Sequence, residues 1–121
     1  MHTIAAVALA FFLIVVGIGH FVFTGYFRTL IPAWIPWKTP LVLASGVAEI
    51  LSGALTLVPG TRAAGAWAAA ALITSYLVSH LDALRHAHPG RSRVLERPSG
   101  AVARLVVNAF YIAWAVMVAA G

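Results

Sequence analysis

Six side chains in this sequence combine titratable or hydrogen-bonding chemistry with apolar surroundings: His20, Glu49, Tyr76, His80, Arg104 and Asn108. Glu49 is the most demanding of them. It lies inside LVLASGVAEILSGALTLV, residues 41–58, where a carboxylate is costly unless it is paired, hydrogen-bonded or protonated. Arg104 or His20 is its expected donor, with Asn108 and Tyr111 completing the hydrogen bonds. Such a cluster can hold a proton. With the neighbouring tryptophans it can also stack on, and hydrogen-bond to, a ring such as a quinone headgroup. Haem is the weaker chemical alternative. His20 and His80 stand at matched positions, as bis-histidine ligation needs, but two histidines in four helices make no haem motif. No metal site is expected. Asp82 falls on a different helix face from His80 and is expected to pair with Arg85 or His86 at the helix end.

The elements that must position these residues follow from hydropathy. The chain is 62% hydrophobic and only 9% charged, whereas a soluble domain carries about 25% charged residues. One all-α domain, residues 1–121, is expected: an integral membrane bundle of four antiparallel helices near 3–23, 41–58, 63–84 and 101–120. About 20 apolar residues span the hydrocarbon core of a bilayer. Within 41–58, Ser45, Gly46, Glu49, Ser52, Gly53 and Thr56 form one small, polar stripe, which should face other helices. Gly17 and Gly19 should allow close approach in the first helix. The alanine run of the third should pack tightly as well. The apolar N-terminal segment continues through Phe23, too long for a signal-peptide core, and reads as a retained helix.

Two connections stand out. Residues 24–40 hold three prolines with Tyr26, Phe27, Trp34, Trp37, Arg28 and Lys38. This is an interfacial aromatic and basic loop, or a cap over a cavity mouth. Residues 85–100 are hydrophilic and read as a solvated, orientation-setting loop. Both connections lie at one end of the bundle and carry most of the basic residues. The positive-inside rule places them in the cytoplasm of a multi-pass cell-membrane protein, with both termini outside. The positive charge suits lipid headgroups, and no nucleic-acid-binding motif accompanies it. Cysteine is absent, so the chain supplies no thiol redox chemistry.

Depth sharpens the picture. His20, His80 and Arg104 lie roughly 5 to 7 Å from the long-connection end, and Glu49 and Asn108 roughly 12 Å, at 1.5 Å per helical residue. Tyr76 lies at a similar depth. All four helices therefore carry their polar residues in one half of the bundle. A buried network that fixes register, a ligand site and a proton site are all consistent with this.

The runs Gly19-His20-Phe21, Ile31-Pro32, Trp34-Ile35-Pro36, Ser45-Gly46-Val47-Ala48-Glu49-Ile50 with Gly53, and the Pro59…Arg62 turn together resemble the DoxX-like small membrane proteins. The resemblance covers the first two-thirds of the chain. It implies a four-helix membrane subunit accessory to a membrane redox or quinone-linked system, such as thiosulfate:quinone oxidoreductase, with His20 and Glu49 at the family's polar positions. Ser79-His80-Leu81-Asp82 departs from the Pro-Ala-Asn stretch found in many relatives. The partners so implied are membrane oxidoreductase subunits; hydropathy adds the lipid bilayer, and the glycine and alanine faces allow a second copy of the chain but equally serve packing within the bundle. A structural or assembly protein without a ligand, and a small proton- or solute-conducting protein, are the alternatives.

Overall fold

Prolines and glycines cut the apolar sequence into four long helical segments. The computed structural model describes residues 2–121. It contains α1 (His2–Val22), a short α2 (Thr24–Arg28), α3 (Lys38–Leu57), α4 (Arg62–Ser75), α5 (Leu77–Arg85) and α6 (Pro98–Ala120). Single 3₁₀ turns lie at Pro59–Thr61 and Val94–Glu96, and no strand occurs among the described residues. Met1 and its amino group, which enter the charge comparison between the two ends of the bundle, lie outside the described residues.

Four segments are long and apolar enough to cross a membrane: Thr3–Val22, Lys38–Leu57, Pro59–Arg85 and Pro98–Ala120. α3 and α6 each begin three residues earlier than the hydropathy suggests. Pro40 and Pro98 explain this, since the first turn of a helix tolerates a residue without an N–H. The segments close a ring in which α1 packs on α3, α3 on α4, α4 on α6, and α6 back on α1. Near the termini, Trp114 Nε1 donates to the Ala5 carbonyl oxygen at 3.1 Å.

Packing is inverted relative to a water-soluble bundle. The interior is largely small, with Ala6, Ala66, Ala69, Ala70 and Ala115 around Leu9, Leu13 and Ile73. Phe11, Val15, Leu51, Trp67, Val106 and Phe110 point outward. Among the alanines of α4, only one face is buried; Ala63, Ala64, Ala68 and Ala71 are exposed. The α3 stripe is buried as its spacing predicts, at Gly46, Glu49, Ser52, Gly53 and Thr56.

α1 and α3 approach closely because three glycines remove side chains between them. A Cβ on Gly17 would lie 2.7 Å from Ile50 Cγ1, one on Gly46 2.8 Å from His20 Cβ, and one on Gly53 2.8 Å from Ile14 Cγ1. Gly19, expected to share this role, meets only Phe27 at an ordinary 3.8 Å.

The third segment departs from expectation. An unbroken helix over 63–84 is predicted, but the helix is interrupted at Tyr76. Thr74 Oγ1 donates to the Ala70 carbonyl at 2.6 Å and Ser75 Oγ to that of Leu72 at 2.5 Å. Such hydroxyl bonds to the preceding turn bend helices. The Tyr76 amide takes a tightened bond to the Ile73 carbonyl, 3.1 Å. Asn108 Nδ2 donates to that same oxygen across the bundle at 3.2 Å.

Residues 85–100 are more ordered than a plain solvated loop. With eight basic and only three acidic residues in the chain, several cations hydrogen-bond backbone carbonyls instead. Arg97 donates to the carbonyls of Arg91 (2.9 Å) and Ser92 (3.3 Å), and Arg91 to that of His86 (3.1 Å). Gly100 lets this loop fold down, since a Cβ there would collide with the Val94 carbonyl oxygen. Arg62 does the same job at the α3–α4 turn, donating to the Thr56 and Leu57 carbonyls at 3.0 and 3.2 Å. Such bonds satisfy helix-end carbonyls that have no partner within the helix.

Candidate functional site

The tight α1–α3 seam decides the first contact of the site. Gly46 brings α1 against α3 at His20, and His20 Nε2 then lies 3.0 Å from Glu49 Oε2. Both residues are buried, at 6% and 3% exposure. His20 Nδ1 is 2.7 Å from the Val16 carbonyl oxygen. A carbonyl only accepts, so Nδ1 carries a hydrogen. Nε2 is then either protonated and facing a carboxylate, or accepting from a protonated Glu49. In both forms the pair is neutral overall. Phe27, from α2, stacks on the imidazole with centroids 4.0 Å apart at 15°.

The break in the third segment supplies the next group. Tyr76 sits at the break, with its hydroxyl beside Ser45 and Glu49. That hydroxyl is buried and has no hydrogen-bond partner of good geometry, and Glu49 Oε2 has none beyond the His20 contact. A buried polar atom left in this state costs about 1–3 kcal/mol.

Arg104, one of the two donors expected for Glu49, does not go to it. Its Nε donates to His80 Nδ1 at 3.1 Å, and its Nη2 reaches the Leu30 carbonyl at 3.5 Å. The reason is positional. His20 already occupies the carboxylate through the α1–α3 seam, and Arg104 lies closer to the loop end, so its long side chain extends outward. Because His80 Nδ1 accepts, that nitrogen holds a lone pair and the ring is neutral. Asn108 serves the Ile73 carbonyl rather than Glu49. Tyr111 packs on Phe12, with centroids 4.6 Å apart, instead of completing the carboxylate's bonds.

His20, Glu49, Tyr76, His80, Arg104 and Asn108 nevertheless line one cavity of about 400 Å³. Its remaining wall is mostly apolar: Phe12, Val16, Leu30, Ile31, Ile35, Leu41, Val42 and Ile73. The Pro-rich connection therefore contributes wall residues, as the cap reading of 24–40 expects. Ser45, Ser79 and Phe27 also line the cavity. The sequence reading placed Ser45 in the packing stripe and Phe27 in the interfacial connection, and named none of the three as a site residue, because a serine or phenylalanine in a membrane-like helix carries no distinctive chemical pattern. A haem-type role is poorly served by His20, whose two nitrogens face Val16 and Glu49.

Asp82 is a tether at the loop end. It pairs with His86 at 3.4 Å, as the i,i+4 spacing suggests, while Arg85 forms no ion pair with it among the described residues. Trp34 Nε1 also donates to Asp82 Oδ1 at 3.1 Å. This fastens the Trp-Pro loop to α5, a contact across the bundle that sequence spacing could not reveal.

Residues 9–119 match the family described as a domain of unknown function (DUF8561). No curated protein and no solved structure matches the chain.

Proposed function

The chain belongs to this DUF8561 family, and we propose that it is an integral membrane protein binding a quinone-type ring between its helices, as an accessory subunit of a membrane redox system. Bilayer insertion is supported by the four apolar segments and by large apolar side chains facing outward around an alanine-rich interior. Lipid rather than water is the solvent that suits such a surface. Six basic residues, Arg28, Lys38, Arg85, Arg91, Arg93 and Arg97, lie in or flank the two long connections, against Arg62 at the short turn. This supports a cytoplasmic position for residues 24–40 and 85–100.

The observation that carries the ligand reading is the cavity itself. Its 400 Å³ falls within the usual range for small-molecule sites, about 300–1,000 Å³. Mostly apolar walls converge on the His20–Glu49 pair and on the buried Tyr76 hydroxyl. That hydroxyl is a donor for a ring carbonyl, and a Glu49 carboxylate is an acceptor for a ring hydroxyl. The absence of cysteine assigns electron transfer to a partner subunit or to the bound ring.

The test is purification with native lipid, identification of co-purifying quinone, and titration of the delipidated protein with a short-chain quinone. Saturable binding that weakens about tenfold in Glu49→Gln supports the reading; a charged hydrogen bond is worth about 1.5–3 kcal/mol. Finding neither co-purified quinone nor saturable binding overturns it.

One observation favours a second reading. The His20–Glu49 pair lies beside Gly17 and Gly46 on the close α1–α3 seam, where it would lock helix register. A purely structural pair predicts a large loss of thermal stability in His20→Ala with no ligand effect in Glu49→Gln.

A further inference from the structure

Outside the inner cavity, toward the long connections, lies a second and larger one of about 780 Å³. Arg104 lines both, as do Leu30, Ile31 and Ser79. This outer vestibule is lined by three arginines, Arg91, Arg93 and Arg104, against two carboxylates, Asp82 and Glu96.

The charges are not matched to one another. The ion pairs among the described residues are His20–Glu49 and His86–Asp82, so none of the three arginines has a carboxylate partner. Arg104 is half-buried and donates only to a neutral imidazole and a backbone carbonyl. Asp82 is already held by Trp34 and His86. Arg91 donates through Nη2 to the His86 carbonyl, yet its Nε is buried with no acceptor. Arg104, with Glu96 and Asp82 near it but no carboxylate within ion-pair distance, shares this vestibule with Arg91. A multivalent oxyanion in the vestibule supplies the charged acceptors that these arginines lack, and guanidinium forks match phosphate oxygens in geometry.

We propose that the vestibule is a phosphate-binding site, with Arg104 and Arg91 as its principal donors. The phosphate comes either from a membrane lipid headgroup or from free phosphate in solution. Basic pockets between membrane helices near the cytoplasmic surface favour lipid headgroups. The apolar strip formed by Leu30, Ile31 and Val94 gives an acyl chain a surface to lie on. This site is separate from the Glu49 chemistry and stands whether or not the inner cavity takes a quinone.

The experiment uses the full chain, purified in phosphate-free detergent. It is titrated by thermal shift with inorganic phosphate, with dioctanoyl phosphatidic acid, and with uncharged dioctanoylglycerol. We expect saturable binding of a phosphate-bearing probe that weakens about tenfold or more in Arg104→Gln and in Arg91→Gln. Arg85→Gln removes the same charge from an exposed site outside the vestibule and should bind as wild type. Phosphatidic acid binding more tightly than inorganic phosphate supports the lipid source; equal binding of the two supports free phosphate. The proposal is overturned if neither phosphate probe binds, if dioctanoylglycerol binds as well as phosphatidic acid, or if all three arginine variants weaken binding alike. Helical content and gel filtration check folding. Should Arg104→Gln fail to fold, Arg91→Gln, in the loop outside the four segments, decides.

Discussion

His20 and Glu49 face each other at 3.0 Å across the α1–α3 seam, while the other nitrogen of the same imidazole is held by Val16. The ring is therefore oriented by its own helix and presented to the carboxylate of the neighbouring one. Removing either partner has unequal consequences. His20→Ala leaves Glu49 buried without its main partner, which costs about 3–5 kcal/mol for a broken buried pair. Glu49→Gln retains a hydrogen-bonding group beside Nε2 and should cost about 1 kcal/mol. Thermal melts of the two variants in one detergent check this order, and equal losses would contradict it.

Gly46 sets the spacing that makes the pair possible. A methyl group there would sit 2.8 Å from His20 Cβ and 3.0 Å from the Gly17 carbonyl oxygen. Gly46→Ala should therefore push α1 from α3 and destabilise by about 1–3 kcal/mol, as overpacking does. Gly25→Ala is the control, because a Cβ at Gly25 meets nothing within 4 Å. It should leave the melting temperature unchanged or slightly raised.

Asn108 joins α6 to the break in the third segment through the Ile73 carbonyl. Asn108→Leu removes the donor at similar volume. The expected loss is about 1 kcal/mol for one hydrogen bond. Amide exchange around residues 73–77 should also quicken, because the tightened turn at Tyr76 loses its cross-bundle support. Unchanged exchange there would mean that the break is maintained by Thr74 and Ser75 alone.

The Trp34–Asp82 bond is an exposed tether between loop and helix. Trp34→Phe keeps most of the ring and deletes the donor. Global stability should change by less than about 1 kcal/mol, while amide exchange across residues 29–37 accelerates. Exchange confined to wild-type rates would show that the prolines hold the loop without the tether.

How far the site could be read in advance depended on the residue. The α3 stripe was legible because helical periodicity alone puts Gly46, Glu49, Ser52, Gly53 and Thr56 on one face, and one buried face satisfies them all. The six polar residues could be assigned to one end of the bundle from their distance along each helix. Their partners could not. Arg104 and His20 were equivalent candidates for Glu49 by depth, and the choice fell to His20 only because Gly17 and Gly46 bring α1 closest. The break at Tyr76 was invisible to hydropathy, since Thr74 and Ser75 find acceptors in the preceding turn whether the helix is straight or bent.

Composition and periodicity by themselves determined an all-helical chain with four segments apolar enough for a membrane and a polar cluster at one end. Those properties depend on each segment's own length and the solvent it suits. Tertiary structure alone decided which donor meets Glu49, that Arg104 turns to His80, and that the Trp-Pro loop is fastened to Asp82. Those outcomes depend on distances between helices of a few ångströms, set by where glycine permits backbone contact and where an aromatic ring fills the gap.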